Sequence, residues 1–189
     1  TLEHFSIFMD YIGIADWPEK ATLLETGNFT LRVESTKALT YDCERHLDFL
    51  YAYLDKTQAF CPQETLYYAY YKYFKGETVA RTKCENFASQ IKRSLASEQC
   101  LTEEYIDVTD DGTRLDGSHR ASIARVVGIK TLHVRVFQWE NTFPEERLGH
   151  IKRELALKRQ ARREFQPSKI FDPYSGKYLG ELAYVDFSS

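Results

Sequence analysis

Long hydrophobic runs are missing from this chain: none approaches the roughly 20 apolar residues that a helix needs to cross a bilayer. An excess of one charge is missing as well. The 25 Lys and Arg nearly balance the 28 Asp and Glu, and a formal charge of −3 gives no global attraction toward nucleic acid. Cysteine is sparse. Cys43, Cys61, Cys84 and Cys100 form no C-x-x-C pair and no zinc signature. Their even number permits disulfides, but in a chain of this size the uneven spacing points to reduced thiols in a cytoplasmic setting rather than to a disulfide framework. No secretory pattern precedes Thr1, and the absence of an initiator Met suits a processed or excised piece of something longer. Internal repeats, low-complexity tracts and long Gly/Ser linkers are absent too. What is left is 189 residues, enough to bury a real core.

What the chain does have is concentrated in Thr113 to Val136, TRLDGSHRASIARVVGIKTLHVRV. Upstream, Tyr105, Ile106 and Val108 make a strand-like run, and Asp110-Asp111-Gly112 is a hairpin signal that returns the chain through Thr113-Arg114-Leu115. From Ser118 the apolar residues Ala121, Ile123, Ala124 and Val127 mark a helical face, with Gly128 at the C′ position. Leu132, Val134 and Val136 then alternate with polar neighbours as in a half-buried strand. The polar residues Asp116-Gly117-Ser118-His119-Arg120 therefore sit where a strand feeds a helix N-terminus. Backbone N–H groups there lack helical partners and the dipole end is positive. Gly117 permits close approach of a ligand, and Ser118, His119 and Arg120 add a hydroxyl, an imidazole and a guanidinium, a set that suits phosphate or another anion. Capping by Asp116 or Ser118 accounts for one residue of the five, so anion binding is the preferred reading.

Elsewhere the pattern speaks mainly of packing. Residues 2–14 form an apolar segment, helix or buried strand, broken at Trp17-Pro18 and Thr26-Gly27-Asn28; Phe29, Leu31 and Val33 alternate as a first strand. Tyr41 to Asp55 reads as a helix with Asp42 as N-cap, Arg45 near acids, and Leu47, Leu50, Tyr51 and Leu54 buried. The Tyr-rich segment 66–74 reads as an amphipathic helix ended by Gly76, in preference to a base- or sugar-stacking platform. A further helix over 82–97 places Phe87, Ile91 and Leu95 inward. After a break at Asn141 to Pro144, residues 150–165 form a basic helix with Ile151, Leu155 and Phe165 on its apolar side. That helix is a solvated face or a surface for an acidic partner, a phosphate-rich polymer or, less favoured by its thin apolar stripe, an anionic membrane surface. The tail 169–187 reads as a hairpin around Asp172-Pro173-Tyr174-Ser175-Gly176.

The string LDGSHRASIARVVGIKTLHVRV resembles the ParB/sulfiredoxin-like superfamily, whose members carry a DG-x-HR element before a helix and an LGI-type link to a strand. The likeness is close over about Tyr105 to Phe137. It extends weakly to Tyr70, where YYKYFKG and ENFASQIKRSL look like the lead-in helices of a variant found beside glycan-biosynthesis enzymes. The resemblance implies a single α/β (α+β) domain over residues 1–189, with a small mixed sheet and surrounding helices. Its core would lie at about 29–140, with the basic helix and C-terminal hairpin appended over 141–189.

Sulfiredoxins carry a catalytic Cys where this chain has Ser118, so thiol repair is not expected; ParB-type partition proteins bind CTP and add a DNA-reading helical domain that is not evident here. Kinases of the superfamily, some acting on free serine, need no Cys. By that likeness the chain is an ATP- and Mg²⁺-dependent phosphotransferase acting on a hydroxyl of a sugar or glycan, with free serine behind. Gly117, Ser118, His119 and Arg120 would cradle phosphate, Asp116 and His119 would be catalytic, and Asp116 would position Mg²⁺ or the attacking hydroxyl. Lys83 or Arg81 would reach the nucleotide, and a general base is expected from Glu34, Asp42 or Glu44. The alternative is a nucleotide-gated, ParB-like nucleic-acid-binding module using the basic helix; a hydrolase or nuclease is weaker.

Overall fold

The computed structural model describes residues 18–40, 43–97, 99–140 and 142–164, with side chains only as far as 157 in the last segment. The expectations for residues 2–14, Trp17, Asp42, Asn141, Phe165 and the 169–187 hairpin fall outside the described residues. The fold is α/β: helices accompany a four-stranded mixed sheet. The chain divides into two compact units.

The first unit holds the sheet. Helix α1 (Pro18–Thr26) starts on proline and leads into β1 (Phe29–Ser35). Strands β2 (Ile106–Thr109) and β3 (Arg114–Asp116) form the expected hairpin, and β4 (Thr131–Phe137) completes a sheet ordered β1-β4-β2-β3. Strand β2 runs parallel to β4, pairing Ile106 with Val134 and Val108 with Val136, and antiparallel to β3, pairing Asp107 with Asp116. The β2–β3 turn uses Gly112 at φ +80°, with Gly112 N donating to Thr109 O at 2.9 Å.

Helix α8 (Glu145–Glu164) begins five residues earlier than its charge pattern suggested. The Pro144 carbonyl accepts from Leu148 N, and Glu145 and Glu146 occupy the first turn, where the helix dipole favours acids. Leu148 and Ile151 of α8 join Leu23, Leu115, Phe137 and Trp139 in one buried cluster.

The second unit is helical. It comprises the short α2 (Thr36–Leu39), α3 (Glu44–Leu54), α4 (Leu66–Lys75), α5 (Glu77–Ala96), the short α6 (Gln99–Thr102) and α7 (Ser118–Val126). Thr65 caps α4 by accepting from Tyr68 N at 3.2 Å. Gly76, at φ +85°, ends α4 and starts α5 without a connecting loop. Phe49, Tyr67, Phe87 and Ile91 are fully buried at the centre of the unit, with the Phe49 and Phe87 rings stacked 4.9 Å apart. Gly128, at φ +92°, follows α7 as expected.

Several sequence expectations need correction. Helix α3 starts at Glu44 rather than Tyr41, and its buried stripe is His46, Leu47, Phe49 and Leu50, leaving Tyr51 exposed. Arg45 lies over the Tyr70 ring at 4.3 Å rather than against acids. Helix α5 starts at Glu77, directly after Gly76, and Leu95 near its C-terminal end is exposed. Strand β1 forms as expected, with Phe29, Leu31 and Val33 46%, 59% and 59% exposed on a face that is not buried. Among the described residues no helix is long and apolar enough to cross a membrane.

Gly27 is a packing glycine. A Cβ there would stand 2.3 Å from the Leu23 carbonyl oxygen and 3.0 Å from Phe137 Cδ1, and the backbone oxygen cannot step aside cheaply. Gly27→Ala is expected to lower unfolding stability by about 2 kcal/mol, read as a shift in urea midpoint at unchanged slope.

Candidate functional site

The DGSHR residues lie where the sequence placed them, between a strand and a helix. Asp116 is the last residue of β3, Gly117 is buried and takes φ +91°, and Ser118 is the first residue of α7. Any side-chain-bearing residue at Gly117 meets the steric cost of the left-handed region, so the glycine is required by the turn itself. Chain continuity alone keeps the Asp116 and Ser118 Cα atoms within about 7 Å of each other.

Asp116 belongs to the sheet unit. The register sets it opposite Asp107, a carboxylate that is only 4% exposed in the central strand β2. Burial of a charge requires compensation. Arg135 of β4 supplies it through a two-bond fork, Nε to Oδ1 and Nη2 to Oδ2, each 2.7 Å. The bond from Asp107 raises the Arg135 pKa further, and the Asp107 and Asp116 charges act in the same direction against desolvation. The Arg135 guanidinium also lies 5.4 Å from the Phe29 ring centre, 5.9 Å from Tyr105 and 5.5 Å from Phe137. Asp107 is therefore committed to holding Arg135, whereas Asp116 at the strand end is exposed to solvent.

His119 and Arg120 belong to the helical unit. The His119 ring stacks on Phe87 at 4.2 Å and 19°, meets the edge of His46 at 5.0 Å, and has Nε2 2.9 Å from the Tyr67 hydroxyl. Burial first, and then the neighbouring Tyr71, push the Tyr67 pKa far above its usual value, so this hydroxyl keeps its proton at any physiological pH. The imidazole is thus fixed in plane by Phe87 and in rotation by Tyr67. Arg120 forms an ion pair with Glu104. Ser118 accepts a bond from Ser122 Oγ at its carbonyl, 2.8 Å, within the first turn of α7. Lys83 lies over Tyr71 at 5.8 Å, and Tyr71 is 4.9 Å from Tyr67, which places Lys83 two rings away from His119. Arg81 instead pairs with Glu77 at the surface.

Farther along α7, Arg125 donates to Thr40 Oγ1 at 2.9 Å, and Thr36 Oγ1 donates to the Ile129 carbonyl at 2.8 Å. These bonds fix the C-terminal end of α7 against α2, so the helix that begins at the DGSHR residues is held at its far end as well as on its buried face.

Of the residues singled out from sequence, His119 and Lys83 thus share one aromatic cluster, Arg120 follows on the same helix, and Asp116 and Gly117 belong to the sheet unit. Glu34 is on β1, at the opposite edge of the sheet from β3, and Glu44 begins α3. Sequence reasoning missed Asp107, Arg135, Tyr67, His46 and Phe87. Two of these carried a visible signal: Asp107 is the one charged residue in an otherwise apolar strand, and Arg135 is its charge complement two strand-like runs later. Tyr67 was one of several tyrosines in a helix, and nothing local distinguished it.

Among the described residues no group of three or more His, Cys, Asp or Glu side chains is placed to hold a metal ion unaided. All four cysteines are free thiols; burial and the Glu85 charge push Cys84 up to about 12, so it stays protonated and unreactive. Comparison with protein-family models, curated proteins and solved structures gives no match.

Removal of Arg135 strands the buried Asp107 carboxylate. Arg135→Ala is expected to cost about 2–3 kcal/mol in chemical denaturation, with the solvent-facing side of the guanidinium discounted. The double variant with Asp107→Asn should recover a measurable part of that loss, and full additivity of the two changes would show that the fork contributes nothing specific.

Proposed function

We propose that the chain is an ATP- and Mg²⁺-dependent phosphotransferase of ParB/sulfiredoxin-like type, transferring phosphate to a hydroxyl of a sugar or glycan, with free serine as the second acceptor class. The observation that carries the reading is Gly117. One residue in the left-handed region connects a strand-end carboxylate to the first residue of a nine-residue helix. An exposed acid and a helix N-terminus thereby follow each other in the chain with no intervening loop.

The residues present fit the groups this chemistry requires. Mg²⁺ keeps several waters and is held in nucleotide sites by one or two carboxylates together with phosphate oxygens, so a site with one exposed aspartate is sufficient. Asp116 would hold the ion, while Asp107 is bonded to Arg135 through both carboxylate oxygens. The backbone N–H groups at Ser118 and His119, with the Arg120 guanidinium, would hold nucleotide phosphate. When bound, Mg²⁺ supplies neutralisation of charge on phosphate oxygens.

Phosphoryl transfer asks a protein mainly to fix its reactants in line and to stabilise equatorial charge. In this chain Asp116 orients the acceptor hydroxyl or the ion. Arg120 would exchange its pair with Glu104 for phosphate oxygens at the helix start. His119, clamped between Phe87 and Tyr67, is rigid enough to keep the first turn of α7 in one geometry. Lys83, which lies over the Tyr71 ring at 5.8 Å, is the further candidate cation for the nucleotide.

A second reading rests on Lys152 and Arg153, which are exposed on α8 while Ile151 points inward. It makes the chain a nucleotide-gated binder of nucleic acid, with affinity that falls steeply as salt rises.

Incubation with γ-labelled ATP, Mg²⁺ and a panel of sugars, glycans and free serine tests the first reading. Label is expected to move to one acceptor class, with Asp116→Ala lowering the rate by about a hundredfold or more at unchanged circular dichroism. An active preparation whose rate is indifferent to Asp116→Ala contradicts the assignment. Salt-sensitive nucleic-acid binding lost on charge reversal of Lys152 and Arg153, with no transfer to any acceptor, favours the second reading.

A further inference from the structure

The edge strand β1 presents a surface that the phosphotransfer reading leaves unexplained. Its sequence, Phe29-Thr30-Leu31-Arg32-Val33-Glu34-Ser35, contains no proline and no glycine. Among the described residues its one strand neighbour is β4. The two strands are bracketed by Gln138 N to Asn28 O, 3.1 Å, and Thr36 N to Lys130 O, 2.9 Å. The partner numbers fall as the β1 numbers rise, so the strands are antiparallel, and Phe29 accordingly faces Phe137 with ring centres 5.3 Å apart.

In an antiparallel ladder, alternate residues turn both backbone groups toward the partner. Asn28 and Thr36 do so, hence Thr30, Arg32 and Glu34 do so too. Phe29, Leu31 and Val33 therefore aim their N–H and C=O groups at the outer edge. Their side chains also form an exposed apolar row, 46–59% accessible. An uncovered edge of this kind is a template for another strand.

We propose that the strand it takes is β1 of a second copy, antiparallel, about a two-fold axis at Val33. Charge selects both the occupant and the register. A parallel copy would set Arg32 beside Arg32. An antiparallel copy centred on Arg32 would do the same. A copy centred on Leu31 would face Arg32 with Thr30 and Glu34 with Asn28, leaving both charges without complement. Centred on Val33, the pairing sets Arg32 opposite Glu34 of the second copy, and Glu34 opposite Arg32 of the second copy.

These are the non-hydrogen-bonded positions of that ladder, where facing side chains come closest. Val33 and the two Leu31–Ser35 pairs exchange the backbone bonds. The apolar rows of the two copies then merge on one face, and two four-stranded sheets become one sheet of eight. The interface is isologous and closed, so it stops at a dimer. It is independent of the phosphotransfer reading and stands or falls without it.

Sedimentation velocity of the full chain over a micromolar to millimolar series tests the proposal. A concentration-dependent dimer is expected. Arg32→Glu and Glu34→Arg should each raise the dimer dissociation constant by about tenfold or more, because each converts two attractive pairs into repulsive ones. The double variant carrying both changes should restore the dimer, which also excludes misfolding as the cause of the single losses. A monomer at every concentration overturns the proposal, whether the edge is taken by the chain's own residues 165–189 or by an unrelated protein. A dimer indifferent to both charge reversals overturns it equally.

Discussion

The left-handed turn at Gly117 is the constraint on which the architecture of the candidate site depends. One residue separates the end of β3 from the start of α7 in the chain. Both ends of the turn are anchored within their own units. On the strand side, Asp116 is registered against Asp107, which is locked to Arg135. On the helix side, Ala121, Ile123 and Ala124 are fully buried, and Arg125 bonds Thr40 on the neighbouring short helix.

The two anchors differ in physical kind. The Asp107–Arg135 fork is an ion pair between two adjacent strands, so its value lies less in net stability than in fixing the register of β2 against β4. The cluster of His46, Tyr67, Phe87 and His119 is aromatic, with the Tyr67 hydroxyl bonded to Nε2 of the His119 imidazole. Stacked and edge-to-face rings hold position by shape and contribute about 0.5–1.5 kcal/mol per pair beyond area burial. A histidine in such a cluster is a structural member of the helix start as much as a chemical one. His119 is held in one orientation by the Phe87 and His46 rings and by the Tyr67 hydroxyl.

Much of this was legible in the sequence where the signal is local. The Asp110-Asp111-Gly112 hairpin, the helix opening at Ser118, Gly128 behind it and the strand over 131–137 all follow from turn chemistry and periodicity. The long-range features were not. Asp107 and Arg135 are 28 residues apart and meet only because β2 and β4 lie parallel. Tyr67 reaches His119 across 52 residues, out of a segment where every other position up to Phe74 except Lys72 is aromatic or apolar. Period-two alternation in Phe29, Leu31 and Val33 identified a strand correctly, but alternation cannot distinguish a covered face from the open face of an edge strand. The early start of α8 had the same origin: basic charge marked the middle of the helix, whereas Pro144 and two glutamates mark where it begins.

The central claim, that nucleotide phosphate docks at residues 117–120, is tested most directly by titrating the ¹⁵N-labelled chain with Mg²⁺-ATP and following backbone amide shifts. The account predicts that the largest saturable shifts fall on Gly117, Ser118, His119 and Arg120, with smaller ones on Asp116. Saturation that leaves these amides unmoved while others shift, or no saturable shift anywhere, would contradict it.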